Sequence, residues 1–370
     1  MTSILQIVPY LPPSISGVGD YAFLLGKELH RTHGITTHFV LTDPDWKGGD
    51  EIEGFPVTLA KERSAAALER LLVQEAADQE PVVLHYVGYG YQKRGCPSWL
   101  VGGIERWKRA KNGAALLTMF HELYAKPGPF RSSSFWNSSL QRRLAVRLAR
   151  CTDRCRTNRA KLAREIGRMV RAHSNKTKAL PVFSNFGEPQ QVSPLQRRQP
   201  KAVLFAGLGR GLRDVNAAQT LLPQALSALG LDAFTAFGKT SRPPAQLRAP
   251  VAYLPDSAPE RISQELSASR VGMLDYFDGE LAKSGIFAAY CAHGVAPVLT
   301  LPNASQSDGL EPGRHFLVAS ELNTAPSVAE QQTVADAARA WYARHNVQQT
   351  ACAFAEDLSN LLSQSETRPA

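Results

Sequence analysis

The 370-residue chain has no apolar run near the roughly 18 residues that a membrane-spanning helix needs. Its start, MTSILQIVPYLPP, lacks a basic leader and a small-residue cleavage site. That stretch reads as a first β-strand, so a cytoplasmic protein is expected. The five cysteines, Cys96, Cys151, Cys155, Cys291 and Cys352, are odd in number and scattered. This argues against a disulfide framework and fits a reducing compartment. Cys151 and Cys155 stand four apart on an expected helix, but no further pair has metal-ligand spacing, so no metal site is expected. Short-period repeats and low-complexity tracts are also missing, which excludes solenoids and disordered arrays.

What is present is ordinary in amount and uneven in placement. Hydrophobic residues make up 44% and charged residues 20%, as in globular proteins. A chain this long suggests two domains, each able to bury a core. The formal charge is +9, and basicity points to an anionic partner. Arg142 to Arg171 holds eleven Arg or Lys against two acids, Asp153 and Glu165, a net of +9 in one segment.

Short apolar runs recur at 4–9, 37–41, 81–87, 115–120 and 180–184, then at 202–207, 232–238, 251–254, 271–275, 296–300 and 315–318. Unbroken runs of this length are strands of parallel sheets covered on both faces. Helical patterns lie between them. VNAAQTLLPQALSALG (215–230), for example, puts Ala218, Leu221, Leu222, Ala225, Leu226 and Leu229 on one face. The fold class is therefore α/β, with two doubly wound domains. The polar stretch EPQQVSPLQRRQPK marks a boundary near 188–200. Expected are an N-terminal domain over 1–190, a linker at 191–200 and a second domain over 201–330. Helices over 331–370 return towards the first domain.

Four stretches can carry chemistry. SISGVGDYAFLLGKEL (14–29) comes after the first strand, and Gly17 and Gly19 there allow close backbone approach beside a helix N-terminus. AVLFAGLGRGLRD (202–214) opens the second half with Gly207, Gly209, Gly211, Arg210 and Arg213. Two arginines in a glycine-rich turn suit a diphosphate, whereas Leu212 breaks the dinucleotide fingerprint. Lys283, Ser284 and Gly285 open a helix beyond the strand at 271–275, an arrangement suited to phosphate. His121 and Glu122 lie just past the strand at 115–120, where a histidine is well placed for chemistry. His85, inside an apolar strand, reads instead as a core residue.

In their order and spacing these stretches resemble the GT-B glycosyltransferases, specifically the retaining group called family 4. SGVGDYAFLLGKEL resembles the acceptor-side glycine loop, and FHELYA resembles the histidine-bearing turn. PVFSNFGEP (181–189) resembles the end of the N-domain, and LFAGLGRGLRD resembles the diphosphate-binding turn. KSGIFAAYCAHGVAPVL resembles the donor helix, and DGLEPGRHFLV (308–318) resembles the loop and strand beyond that helix. The resemblance implies a GT-B fold, two Rossmann-like domains with parallel sheets facing across a cleft. It also implies transfer of a sugar, with retention, from a UDP- or GDP-sugar to a glycan or lipid-linked acceptor in surface polysaccharide or glycoconjugate synthesis. No cofactor and no metal are implied. Gly17, Gly19, Arg210, Arg213, Lys283, Ser284 and Gly285 would bind the donor. His121, Glu122 and Glu280 would be catalytic, with Asp278 helping to hold the sugar.

One departure stands out. The family carries two glutamates in an E-x7-E arrangement, and counting back from Gly294 they would fall at Leu281 and Ala289. Glu280 is one place off the first. This leaves a second reading open, a non-catalytic GT-B-like protein that binds a nucleotide sugar or glycan. A third, an NAD-linked oxidoreductase, needs the glycine that Leu212 replaces. The basic segment 142–171 has two accounts, helices with solvated arginines or a patch that meets an anionic membrane surface. No aromatic set lies among its arginines, so nucleic acid is not expected.

Overall fold

The computed structural model describes residues 2–14, 16–76, 80–111, 114–125, 133–170, 176–205, 223–238, 250–254, 257–276, 278–300, 306–322 and 324–366. The chain forms two compact units. One is Met1–Pro181 with Val347–Ala370, and the other is Val182–Asn346.

The first unit is built on eight strands: β1 (Ser3–Val8), β2 (Thr36–Leu41), β3 (Glu51–Ile52), β4 (Phe55–Leu59), β5 (Val82–Tyr86), β6 (Leu116–Phe120), β7 (Arg154–Thr157) and β8 (Thr177–Ala179). Their order is β3-β4-β2-β1-β5-β6-β7-β8, parallel throughout except for the β3–β4 hairpin at one edge. Every residue of β5 and β6 is buried, the reason both read as unbroken apolar runs. Cover comes from α1 (Gly17–His33), α2 (Ala65–Glu75), a short turn of helix α3 (Gly88–Tyr91), α4 (Ser98–Ala110), α5 (Ser133–Cys151) and α6 (Ala160–Met169). The side chain of Ser16 caps α1 by accepting from the Gly19 N–H at 3.2 Å, and Gly34 closes the helix with φ 63°.

The second unit repeats the plan. Its strands are β9 (Gln199–Phe205), β10 (Ala233–Phe237), β11 (Val251–Leu254), β12 (Ser269–Leu274), β13 (Ala296–Leu299) and β14 (Leu317–Val318). They are ordered β11-β10-β9-β12-β13-β14, all parallel. In this order the chain winds out from the middle to one edge, then returns to build the other side. Its helices are α7 (223–228), α8 (Pro259–Ala268), α9 (Gly285–Ala292) and α10 (Val328–Tyr342). The last helix, α11 (Val347–Glu366), belongs to the first unit.

Three local expectations change. The run at 180–184 is not a strand; β8 lies just before it, at Thr177–Ala179. β7, RCRT, is hidden in the sequence by its arginines. Arg156 is only 5% exposed and is ion-paired through Nε to Asp357 of α11, with Nη2 donating to the Ala353 carbonyl at 3.2 Å. The polar stretch 191–200 is fastened to the second unit rather than free. Arg198 donates to the carbonyls of Ser193 (2.9 Å), Ser269 (3.1 Å) and His293 (2.8 Å), and Leu195 is fully buried. In the basic segment, α5 leaves Arg142, Arg143, Arg147 and Arg150 exposed, and Arg147 is paired to Glu105 at 2.6 Å.

The Arg156–Asp357 pair ties α11 into the first unit, so breaking it from one side should be costly. Asp357→Ala leaves a buried guanidinium without its carboxylate and should destabilise by about 3 kcal/mol in urea unfolding. An Arg156→Met/Asp357→Leu double variant should lose less than that single variant. Equal stability of Asp357→Ala and wild type would contradict this role for the pair.

Candidate functional site

In each sheet the strand order reverses beside the first strand, between β1 and β5 and between β9 and β12. Ligands of doubly wound sheets bind outside the carboxyl ends of the strands at such points. In the first unit, residues 9–20 come after β1, His121 directly after β6 and Asn158 directly after β7. The backbone holds His121 in place. Its N–H donates to the Tyr86 carbonyl (3.0 Å), and its own carbonyl accepts from Asn158 Nδ2 (3.0 Å).

A line of buried polar side chains runs across three strands to this histidine. Gln6 and His85 are fully buried, and His121 is 6% exposed. His85 Nε2 meets Gln6 Oε1 at 2.7 Å, and His85 Nδ1 meets His121 Nε2 at 3.2 Å. Gln6 Nε2 donates to Thr37 Oγ1 at 3.2 Å. The sheet register explains the line. Gln6 pairs with Val83 and His85 pairs with Met119, so Gln6, His85 and His121 fall at the same parity and share one face. The imidazoles stack with centroids 5.5 Å apart, and the Tyr21 ring of α1 meets His121 edge-on at 5.1 Å. Burial drives the pKa of His121 down to about 3. It also drives His85 well below the usual histidine range, with His121 adding to the effect. Both rings are neutral at physiological pH.

His85 is therefore a core residue, as read from its strand, and also the partner of His121. Gln6, His85 and Asn158 do not stand out as site residues in the sequence. Gln6 and His85 sit inside apolar strands, and only the register brings them into line with His121, whereas Asn158 follows β7, whose arginines hide it. Glu122 comes next to His121 in the chain, half-buried. Gly19 has a packing reason of its own, since a Cβ there would stand 2.6 Å from the Tyr10 carbonyl oxygen. Its N–H is already taken by the Ser16 cap.

Asp20, in the first turn of α1, is a further addition. Its side chain makes no hydrogen bond or ion pair with a described residue, and burial raises its pKa to about 6. A carboxyl in this condition at a sheet's switch point is a functional candidate.

In the second unit, Asp278–Lys283 forms a tight helical turn leading into α9. Lys283 Nζ lies 3.1 Å from Glu280, and both side chains are about 15% exposed. The lysine expected at a diphosphate and the glutamate expected to be catalytic thus form one ion pair. Ser284 Oγ caps α9 by accepting from the Phe287 N–H at 3.2 Å. A Cβ on Gly285 would make ordinary contact with the Asn185 side chain at 3.5 Å. Leu281 and Ala289, where the family carries glutamates, are 1% and 0% exposed. Arg210 and Arg213, with their glycine turn, lie outside the described residues, as does the side chain of Asp278. Among the described residues, no group of three or more His, Cys, Asp or Glu side chains could hold a metal ion, and no helix is long and apolar enough to cross a membrane.

Solved structures share this architecture over their whole length. A variant of S. aureus TarM, in complex with fondaparinux, α-GlcNAc-glycerol and UDP, matches with a TM-score of 0.67 at 8% identity, covering 98% of this chain and 100% of its own. The fold is GT-B. The α,α-trehalose 6-phosphate synthase of Burkholderia multivorans matches with a TM-score of 0.62 at 12% identity, covering 100% and 99%. A UDP-GlcNAc 2-epimerase from Methanocaldococcus jannaschii gives 0.59 at 10% identity, covering 97% and 99%. No protein-family model and no curated protein matches the sequence. At such identities the likeness carries the GT-B architecture and nothing finer.

The Asp20 environment gives a pH-dependent signature. The unfolded carboxyl loses its proton near pH 4, whereas the folded one holds it to about pH 6. Stability therefore falls as pH rises through that window and stays lowered above it. Asp20→Asn should match wild type below pH 4 and exceed it above pH 6, by on the order of 1–3 kcal/mol. Thermal unfolding of both proteins from pH 4 to 8 checks this. A constant difference across the range would refute the burial account.

Proposed function

We propose that this GT-B chain is a glycosyltransferase that moves a sugar, with retention, from a nucleotide-diphosphate sugar to a glycan or lipid-linked acceptor. The observation that carries the reading is His121, held neutral at the carboxyl end of β6 by a buried polar line. A neutral imidazole there suits a sugar hydroxyl, and would bring no charge to an oxocarbenium-like transition state. TarM bound to UDP and α-GlcNAc-glycerol is a fold neighbour in keeping with this chemistry.

The leaving diphosphate needs fixed positive charge. In the proposal that charge comes from Arg210 and Arg213, with the Gly285 amide and the start of α9; the Ser284 N–H is already given to the Leu281 carbonyl at 2.9 Å, so Ser284 would take part through its hydroxyl. Lys283 contributes through its pair with Glu280, which would reorient or share the lysine when a phosphate arrives. These cationic groups would stand in for a metal ion. Gly17 and the first amides of α1 would border the acceptor side. Glu122, next to His121 in sequence, and Asp20, at the sheet's switch point, are two carboxyls that would serve the sugar.

A non-catalytic nucleotide-sugar or glycan-binding protein is the second reading, favoured by the buried Leu281 and Ala289 in place of two glutamates. The transferase reading, and the nucleotide-sugar form of the second, require a nucleotide. Thermal shift against UDP, GDP, ADP and their sugars should single out one nucleotide, because binding to the native state alone raises apparent stability. Lys283→Ala should weaken that nucleotide by about tenfold, the scale of one charge-assisted hydrogen bond. A flat response across the whole panel would count against the transferase and leave only a glycan-binding protein.

A further inference from the structure

The donors and acceptors along the buried line have a direction. In the structure Gln6 turns its amide nitrogen to Thr37 and its carbonyl oxygen to His85 Nε2. With its amide turned this way Gln6 offers His85 only an oxygen, which accepts, so in this arrangement His85 Nε2 carries a proton. A neutral His85 then has a bare Nδ1. That nitrogen faces His121 Nε2 at 3.2 Å and can only accept, so the proton of His121 must sit on Nε2. Two protonated imidazoles at this distance would repel, and neither ring is exposed enough for water to offset the cost. The remaining nitrogen of His121, Nδ1, makes no hydrogen bond with a described residue.

We propose that Gln6 and His85 are positioning residues that lock His121 in its Nε2–H tautomer, so that Nδ1 presents a lone pair to the ligand. The ligand group that fits is a hydrogen-bond donor, a hydroxyl, and not a phosphate oxygen or a carbonyl. The inference rests on the reading of His121 as a ligand-facing residue. It deepens that reading by fixing the polarity of the contact and removing His121 as a proton donor. The frame around the rings is rigid. Tyr91 donates to the His85 carbonyl at 2.9 Å and to the Ile7 carbonyl at 3.1 Å, which ties β1 and β5 together beside the line.

Tautomers are read directly in the ligand-free protein by long-range nitrogen–proton NMR correlations on histidine-labelled material, with His85→Gln and His121→Gln samples assigning the signals. The expected result at pH 7 is Nε2–H on both rings. An Nδ1–H tautomer or an imidazolium at His121 would overturn the proposal. In Gln6→Leu, His85 loses its acceptor at Nε2. Its proton should then move to Nδ1 and donate to His121 Nε2, making Nδ1–H the major form of His121. An unchanged tautomer in that variant would also overturn the proposal, because the line would not be what sets it. If Gln6→Leu does not fold, Gln6→Met makes the same removal with a flexible side chain, and the wild-type measurement stands alone. No donor sugar is needed. A wrong tautomer together with retained nucleotide binding would reject the relay without touching the proposed function, and the reverse pair of results would do the opposite.

Discussion

A parallel sheet covered on both faces has no free surface, and this constraint shapes both units. Inside such a sheet a polar side chain must find a partner, because an unmade hydrogen bond there costs more than a made one returns. Gln6, His85 and Thr37 obey by bonding to one another along one face of β1, β5 and β2. The line ends where the strands end. His121 is the first residue past β6, and one of its nitrogens is left without a described partner. The same rule places Thr118 of β6 against Thr152 at 2.8 Å, and Thr152 closes the run by donating to the Leu148 carbonyl at 2.8 Å. The difference between a structural polar pair and a candidate site is whether the chain of partners closes.

Charge obeys a parallel logic. Arg156, inside a strand, is neutralised by Asp357 from a helix near the other end of the sequence. Arg198 is surrounded by carbonyl oxygens that hold 191–200 on the second unit. Lys283 and Glu280 satisfy each other at the entrance to α9. An approaching polyanion therefore has to compete with a carboxylate for Lys283. Such competition favours a ligand bringing more than one negative charge, which a diphosphate does.

Much of the architecture is visible in the sequence, because covered parallel strands cannot disguise themselves. ILQIV, VVLHY, ALLTMF, AVLF and APVL each lie in or over a strand, and their alternation with helices implies the doubly wound order. β7 is not visible, because the compensation for its buried Arg156 lies about two hundred residues away. The stretch 191–200 misleads because a buried arginine bonded to carbonyls has the composition of a solvated linker. His121 is legible from its place after a strand. Gln6 and His85 are not, because each looks like an isolated polar residue until the register sets them side by side. Asp20 draws no notice in the sequence because a carboxyl in a helix's first turn is ordinarily a solvated one, and only the structure shows it half-buried with its pKa raised.

The central claim is that this GT-B chain catalyses glycosyl transfer and that His121 acts on the sugar. It is tested most directly by following nucleoside diphosphate and freed sugar from the nucleotide sugar that the protein binds, with wild type and His121→Ala side by side. Donor alone should be hydrolysed slowly by the wild type, as water replaces the acceptor. His121→Ala should release product at least about tenfold more slowly, the loss expected of a hydrogen bond made to the reacting sugar, with nucleotide affinity preserved. A donor that stays bound and intact on the wild type, or a His121→Ala variant that turns over as fast, would contradict the account.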